Sequence, residues 1–281
     1  MTSILFTGKH PPGGRHDKGG VKTWIETLTD MARWRGYDVH VWGPEFPLPD
    51  RDFDHVVLSN GGACADARHL SRSVLGVSHG IIPAEAPLPG LYTVYTSEEV
   101  RDHWGGTGPI LRQPIDLSFW RPRSTGEPQA LPRLLQWSYR RPLTHLRDAA
   151  VSLGLEPLHL QSASPERARE EFLQAQCVLA TGRGALEAMA CGIPTVICDR
   201  RGYQGELLDP ATFGSMRRNY SGRGGQTPTA ATIAKEVSTA LRIEPELYRY
   251  HVEREHDSRV IFRQLEGLIH DPATHHDRSP A

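Results

Sequence analysis

One stretch in the second half of the chain restricts the fold more than any other. Cys177–Ala180 is a short apolar run typical of a buried strand, and a second such run follows at 195–198. Between them, Gly182 and Gly184 open a helical segment. The first N–H groups of a helix have no acceptor within it, so this strand, glycine turn and helix start predict an anion site. Glu187 lies one turn into the helix, close enough to contact whatever the amides bind.

The same alternation of apolar strands and amphipathic helices runs through both halves of the chain. It predicts an α/β protein with two doubly wound, parallel-sheet (Rossmann-like) domains facing each other across a cleft. Residues 121–132 have the composition of a linker, so we place the first domain at 1–120 and the second at 121–270. The final helix, at about 247–269, either completes the second domain or returns to the first. We expect the tail 271–281 to be disordered.

Polar features follow the predicted strands of the first half. Gly19 and Gly20 end a long polar loop at the start of an amphipathic helix. They form either a flexible turn or, since neither has a Cβ, a place where a phosphate or sugar approaches the helix N-terminus. His79 directly follows the predicted strand 73–78, at the edge where open α/β sheets bind ligands; the alternative is a surface or satisfied core histidine. Residues 109–113 are predicted to form the last strand of this half.

The second half adds a pair of arginines. Arg140 and Arg141 follow the predicted strand 134–137. They are either surface charge or a diphosphate site, because guanidinium groups pair with phosphate oxygens. The carboxylates at 50–54 match a D-x-D metal pattern, but they precede a strand, and we interpret them as a solvated loop. We predict no metal site.

Charge and cysteine content argue against several classes of protein. A formal net charge of −1 gives no general basic field for nucleic acid or an anionic membrane. No run approaches the roughly 20 apolar residues of a membrane span, and the N-terminus lacks a signal-peptide pattern. The four cysteines show no paired metal spacing, and three of them lie in apolar runs. We therefore expect a soluble protein in a reducing, cytoplasmic location.

Four segments resemble the GT-B glycosyltransferases, in particular the retaining, family-4-like enzymes that use nucleotide-sugar donors. The segment 186–194, Leu-Glu-Ala-Met-Ala-Cys-Gly-Ile-Pro, is nearly the consensus of that family. The other three are the loop, helix and strand at 11–41, the histidine segment 78–80, and the serine-capped helix with the linker that follows it, 96–122. Together the four cover most of the chain from 3 to about 210.

The resemblance implies a role for each matched residue. Gly19 and Gly20 would contact the phosphate and sugar of the donor, and His79 would face the transferred sugar. Glu187 would hold the ribose hydroxyls of the nucleotide. Arg140 or Arg141 would neutralise the diphosphate leaving group, with no metal and no cofactor apart from the donor substrate.

The chain departs from the family at several points: it is shorter than usual, the arginine–lysine loop after Trp137 is compressed, and the segment before Glu187 is altered. A first glutamate is usual eight positions before Glu187, but Leu179 stands there and the turn is shortened to residues 182–184. We expect Arg183 or the Gly184 amide to take over the contact with the donor sugar.

We therefore predict a glycosyltransferase that moves a sugar from a nucleotide diphosphate to an unidentified acceptor, with retention and without metal. The missing first glutamate favours one alternative, a non-catalytic GT-B-like protein that binds nucleotide sugars. A nucleotide-sugar epimerase is a weaker alternative, because it would need more carboxylates and histidines. Arginines at 217–223 keep nucleic acid among the acceptor options. A homo-oligomer is an option because the chain is short for the family.

Overall fold

The computed structural model describes residues 1–8, 19–124, 131–138, 142–199, 202–203, 214–221, 226–271 and 274. The chain forms two compact units. One unit comprises Met1–Pro114 with His256–Ala281, and the other comprises Ile115–Glu255. Each unit contains its own sheet.

The first unit is built on five parallel strands. Up to its exit into the second unit, its elements are β1 (Ser3–Thr7), α1 (Gly20–Trp34), β2 (Asp38–Trp42), β3 (His55–Ser59), α2 (Gly61–Cys64), β4 (Ser73–Ser78), β5 (Thr93–Tyr95) and α3 (Glu98–His103). The strands lie in the order β2-β1-β3-β4-β5. Ile4 and Phe6 pack into the core on the α1 face, whereas Leu5 packs into the core on the other face. Strands covered on both faces are apolar throughout, which explains the short hydrophobic runs of this half.

The second unit contains four parallel strands and one antiparallel edge strand. Its elements are β6 (Arg133–Trp137), α4 (Leu146–Ser152), β7 (Glu156–Leu160), α5 (Pro165–Gln174), β8 (Cys177–Ala180), α6 (Arg183–Ala190), β9 (Thr195–Asp199), β10 (Gly202–Tyr203), α7 (Gly214–Arg217), α8 (Ala230–Ala240) and α9 (Pro245–His256). The strand order is β10-β9-β8-β6-β7, with β10 antiparallel to β9. Val178 and Ala180 pack with α5 and α6, whereas Cys177 and Leu179 pack with α4 and α8 on the opposite face.

The chain completes the first unit with α10 (Ser258–Ile269). Phe262 and Leu265 join the core that α1 covers. The prediction of one helix over 247–269 is wrong, because Asp257 separates α9 from α10. Its carboxylate accepts a hydrogen bond from the first turn of α10 and begins a new helix there.

The prediction of two parallel-sheet α/β domains is confirmed. The two units divide at Pro114, slightly before the expected boundary, because Leu117 and Trp120 are buried in the core of the second unit. The predicted strand 109–113 does not form: Ile110 makes only an isolated bridge to β5.

Only part of the predicted disordered tail, 271–281, is described. Thr274 is fully buried, and its Oγ1 donates a hydrogen bond to the carbonyl of Asp271 at 2.7 Å. Residues 272–273 and 275–281 lie outside the described residues. In the part of the chain that the structure describes, no helix is both long and apolar enough to cross a membrane.

Candidate functional site

The turn between β8 and α6 forms the amino end of α6 at the carboxyl edge of the second sheet. Gly182 is the N-cap residue, with φ 58° and ψ −136°, a conformation that favours glycine. Among the residues that the structure describes, no side chain caps this helix end, and its first turn contains no acidic residue. The carbonyl of Gly182 accepts from the amides of Ala185 and Leu186. The amides before them have no acceptor within the helix and are the anion-binding groups predicted from the sequence.

Trp137, the last residue of β6, packs against this turn. β6 and β8 are parallel neighbours, with Gln136 paired to Leu179, so their carboxyl ends meet at one edge. A Cβ at Gly184 would clash with the Trp137 indole. Gly184 is therefore required for packing, a role that the sequence reading did not assign to it.

A second contact of this turn, which the sequence did not predict, is a hydrogen bond to Tyr220. The amide of Gly182 donates to the carbonyl of Tyr220 at 2.7 Å. Asn219 and Tyr220 both have φ 53°, a left-handed conformation that is unusual for tyrosine. The buried Tyr220 hydroxyl lies 2.7 Å from Nε2 of His251 in α9. No sequence signal marks Tyr220, which lies in a polar, irregular segment.

The predicted site residues of α6 form a buried ion pair. Nε of Arg183 donates to Oε1 of Glu187 at 2.8 Å, and both side chains are about nine-tenths buried, with 11% and 10% exposed. Burial raises the pKa of Glu187, and the charge and hydrogen bond of Arg183 lower it in part. Arg183, Gly184 and Glu187 are thus together in the first two turns of one helix, as the sequence predicts for the site of the second unit.

The arginine pair Arg140 and Arg141 lies outside the described residues. The loop that contains it leaves the carboxyl end of β6 directly after Trp137 and Ser138. It rejoins the described structure near Leu143, whose amide donates to the buried Gln136 side chain at 2.8 Å. The described residues on either side of the pair, Ser138 and Leu143, therefore both lie at β6.

In the first unit, His79 follows β4 at the carboxyl edge of the sheet and is 6% exposed. Its Nε2 lies 2.9 Å from Oγ of Ser59 at the end of β3, and its carbonyl accepts from Oγ1 of Thr96. Trp24 of α1 packs edge-on against the imidazole, at 4.9 Å between ring centroids. Burial lowers the pKa of His79 to about 3, so the ring is neutral at physiological pH. Among the described residues, Nδ1 of His79 and Nε1 of Trp24 find no hydrogen-bond partner.

Gly19 and Gly20 begin α1, and Trp24 links this helix to His79. Gly19 has φ 125° and ψ 165°, which only glycine adopts without strain, and Thr23 Oγ1 donates to its carbonyl. A Cβ at Gly19 or Gly20 would meet no atom of the described residues within 4 Å. The start of α1 and His79 therefore occupy the same edge of the first sheet.

The described residues contain no cluster of three His, Cys, Asp or Glu side chains that could hold a metal ion. Of the D-x-D carboxylates, Asp54 accepts from the amide and hydroxyl of Ser3, at 2.7 and 2.9 Å. These bonds lower the pKa of Asp54 and give the carboxylate a structural partner at the start of β1.

Comparison with known proteins gives structural matches only. No protein-family model and no curated protein matches the sequence. AviGT4, a glycosyltransferase involved in avilamycin A biosynthesis, superposes with a TM-score of 0.65 at 16% identity, over 96% of this chain and 97% of AviGT4. A sucrose-phosphate synthase from Thermosynechococcus elongatus gives 0.62 at 11% identity, over 95% and 98%. An alpha-glucosyltransferase in complex with UDP and a 13-mer DNA gives 0.59 at 10% identity, over 96% and 100%.

The fold is GT-B.

At these identities the likeness establishes the fold and leaves the chemistry to be argued from the residues. Open α/β proteins bind ligands at the carboxyl edges of their sheets. The second unit offers there an uncapped helix start and a buried carboxylate, and the first unit offers a neutral imidazole.

Proposed function

We propose that this protein is a glycosyltransferase that moves a sugar from a nucleotide diphosphate to an acceptor, with retention and without a metal ion. The observation that carries the proposal is the buried Glu187 carboxylate beside the uncapped N-terminus of α6. An anion-binding helix start and a hydrogen-bond acceptor within two helical turns match a nucleotide, which presents phosphate oxygens and ribose hydroxyls.

The nucleotide is proposed to bind in the second unit. The ribose hydroxyls donate to the carboxylate oxygens of Glu187. The first-turn amides of α6, including that of Gly184, bind the diphosphate. Arg140 or Arg141, on the loop that leaves β6, adds the positive charge that a metal ion would otherwise supply.

The first unit is proposed to bind the transferred sugar through His79. Because the ring is neutral, it interacts with sugar hydroxyls by hydrogen bonds rather than by charge. A Cβ at Gly19 or Gly20 would meet no atom of the described residues within 4 Å, so a sugar or phosphate can approach the backbone there.

The reaction gains most from groups that bind the departing diphosphate. Negative charge develops on the diphosphate as its bond to the sugar breaks. Helix amides and arginines that are already in place stabilise this charge without reorganising. The proposed assignment places these groups in the second unit and the sugar-binding groups in the first.

The test is a panel of nucleotide sugars with the unaltered chain, Glu187→Gln and Glu187→Ala, assayed for hydrolysis and for transfer. Glu156→Ala is the matched control, because Glu156 is an exposed carboxylate of the same unit. We expect turnover with at least one donor, lost in both Glu187 variants and kept in the control. Turnover that survives Glu187→Ala would refute the site assignment.

The proposal leaves the acceptor unidentified. The alpha-glucosyltransferase with the similar fold was solved with DNA, and Arg217 and Arg218 are exposed in this chain. Duplex DNA therefore belongs in the acceptor panel beside sugars and small hydroxyl compounds.

A non-catalytic nucleotide-sugar-binding protein is the second candidate function. It is favoured by Leu179, which stands where the related enzymes carry a carboxylate for the donor sugar and is buried in a core. Nucleotide binding by calorimetry without turnover on any donor would support this alternative. We propose a cytoplasmic location for either function, since all four cysteines are buried free thiols.

A further inference from the structure

We infer that Arg183 is a positioning residue for Glu187: it holds the carboxylate in the orientation and charge state that receive the ribose hydroxyls. This inference rests on the proposed function and assigns Arg183 a different role from direct contact with the donor. From the sequence, Arg183 or the Gly184 amide was expected to contact the donor sugar, because both lie in the shortened turn.

The geometry of the pair supports a positioning role. Nε of Arg183 donates to Oε1 of Glu187 at 2.8 Å. A carboxylate has about four lone-pair sites, so Oε2 retains acceptor capacity for a ligand. A carboxylate fixed at one oxygen cannot rotate freely, and its second oxygen therefore keeps one direction relative to the amides of α6.

The pair is poorly suited to a purely stabilising role. Arg183 is the first residue of α6, where the helix dipole disfavours a cation. An arginine four residues before a glutamate is also the less favourable order for an ion pair on a helix. Burial adds a desolvation cost for both ions that the attraction between them often does not exceed. Because these three effects are unfavourable, stability does not explain the pair, and we attribute it to a function of the Glu187 carboxylate.

A second pair in the same unit shows the contrast. Arg167 and Glu171 have the same order and spacing in α5, at 2.9 Å. Arg167 is 62% exposed, however, and Glu171 has Arg133 as an additional partner. Glu171 itself is buried, with 12% of its side chain exposed, so the two pairs differ in the exposure of the arginine and in the additional partner. The Arg167–Glu171 pair therefore provides the matched control for the Arg183 variants.

Arg183 is the only charged group among the described residues that shifts the titration of Glu187. The elements packed against α6 are β8, β9 and α5. Cys177, the titratable residue of β8, packs on the face of the sheet opposite to α6, and burial raises the pKa of its thiol to about 12, so it is neutral. In α5, Arg167 pairs with Glu171, which also pairs with Arg133 of β6. Nε and Nη2 of Arg169 are buried and find no hydrogen-bond partner among the described residues. Without Arg183, burial alone would act on the Glu187 carboxyl, and its pKa would rise further.

The experiment measures nucleoside diphosphate binding by calorimetry as a function of pH. UDP, GDP, ADP and dTDP are screened first with the unaltered chain. The nucleotide that binds is then measured in both its ribose and its 2′-deoxyribose form. This comparison is made for the unaltered chain and for four variants: Arg183→Gln, Arg183→Lys, Glu187→Gln and Arg167→Gln.

We expect Arg183→Gln to weaken nucleotide binding about tenfold at neutral pH, comparable to the loss of one hydrogen bond to a charged group. Binding should require the ionised carboxylate, so it falls as pH falls through the Glu187 pKa, and in Arg183→Gln this fall should begin at higher pH. Raising the pH should restore binding. Arg183→Lys keeps the charge and should restore most of the affinity, and Arg167→Gln should match the unaltered chain.

The 2′-deoxy comparison separates positioning from folding. The unaltered chain should prefer the ribose form, and Arg183→Gln should lose this preference as fully as Glu187→Gln does.

If Glu187→Gln weakens binding but Arg183→Gln keeps the pH profile and the ribose preference, the positioning role is wrong and the proposed function stands. If neither Glu187→Gln nor Arg183→Gln changes the binding of any nucleotide, or none binds the unaltered chain, the proposed site itself is wrong. Should Arg183→Gln not fold, Arg183→Lys, which keeps the charge but loses the Nε contact, should still show a small shift of the pH profile to higher pH and a partly reduced ribose preference. A profile and preference identical to those of the unaltered chain would then overturn the role.

Discussion

The buried imidazole of His79 should make the first unit sensitive to acid, and the size of the effect follows from the structure. His79 is 6% exposed, and burial lowers its pKa from 6.5 to about 3. Above pH 6.5 the ring is neutral in both the folded and the unfolded chain, so titration of His79 leaves stability unchanged there. Below pH 6.5 the unfolded chain takes up a proton that the folded chain excludes, and stability falls until the pH reaches the folded-state pKa.

The expected loss can be estimated from these two pKa values. Each pH unit between them costs up to about 1.4 kcal/mol, so His79 should remove about 2 kcal/mol of stability between about pH 7.5 and pH 5. His79→Gln removes the titration but retains an amide nitrogen near the position of Nε2, within reach of Ser59 Oγ. The free energy of unfolding of the unaltered chain should therefore fall by about 2 kcal/mol more than that of the variant over this range.

The assay is urea denaturation of both proteins at a series of pH values, with His103→Gln as the control at an exposed histidine of the same unit. Other histidines contribute equally to both proteins and cancel in the difference. Parallel stability curves for the unaltered chain and His79→Gln would refute the reasoning, because they would mean that the folded protein accepts the proton.

Two further predictions concern the two ends of α6. Gly184→Ala should destabilise the second unit by about 1–3 kcal/mol, because the Trp137 indole must move; Gly62→Ala, where a Cβ meets open space, should be far milder in thermal unfolding. Arg249 donates to three backbone carbonyls, including that of Ala190 at the end of α6 at 2.6 Å, so Arg249→Met should cost about 3 kcal/mol in urea denaturation. A loss no larger than that of the Gly62 control would contradict either prediction.

Much of the fold could be predicted from the sequence because its strands are buried on both faces. Such strands appear as short apolar runs, and β8 occupies the predicted residues Cys177–Ala180. The break at Asp257 could not be located in the same way, because residues 253–259 are all polar and carry no apolar periodicity. There the capping hydrogen bond of one side chain decides the boundary, and periodicity does not report it.

The candidate site was predictable where one local segment forms it and unpredictable where distant segments meet. Gly182, Gly184 and Glu187 belong to one strand-turn-helix segment, so their spacing places them together. The contacts of Trp137 with Gly184 and of Tyr220 with Gly182 join residues far apart in the sequence. Neither contact has a local pattern, and the left-handed backbone of Tyr220 is one that its residue type does not suggest.

The position of Leu179 shows why counting residues from Glu187 misleads in this chain. Leu179 lies within β8, and its side chain packs in the core formed by α4 and α8, on the face opposite to α6. A glutamate placed there would be buried on the face of the sheet opposite to α6, away from the proposed site. The group that now stands one turn before Glu187 is Arg183, a cation in contact with that carboxylate. If the proposed function is correct, the donor sugar is therefore held by amides and by the first unit, and a carboxylate restored at position 179 would not increase activity. Thr181 lies in the turn itself, so Thr181→Glu places a carboxylate beside the start of α6 and should increase activity, whereas Leu179→Glu should not. Activity that is unchanged in both variants would mean that no carboxylate contact with the donor sugar can be restored at this turn.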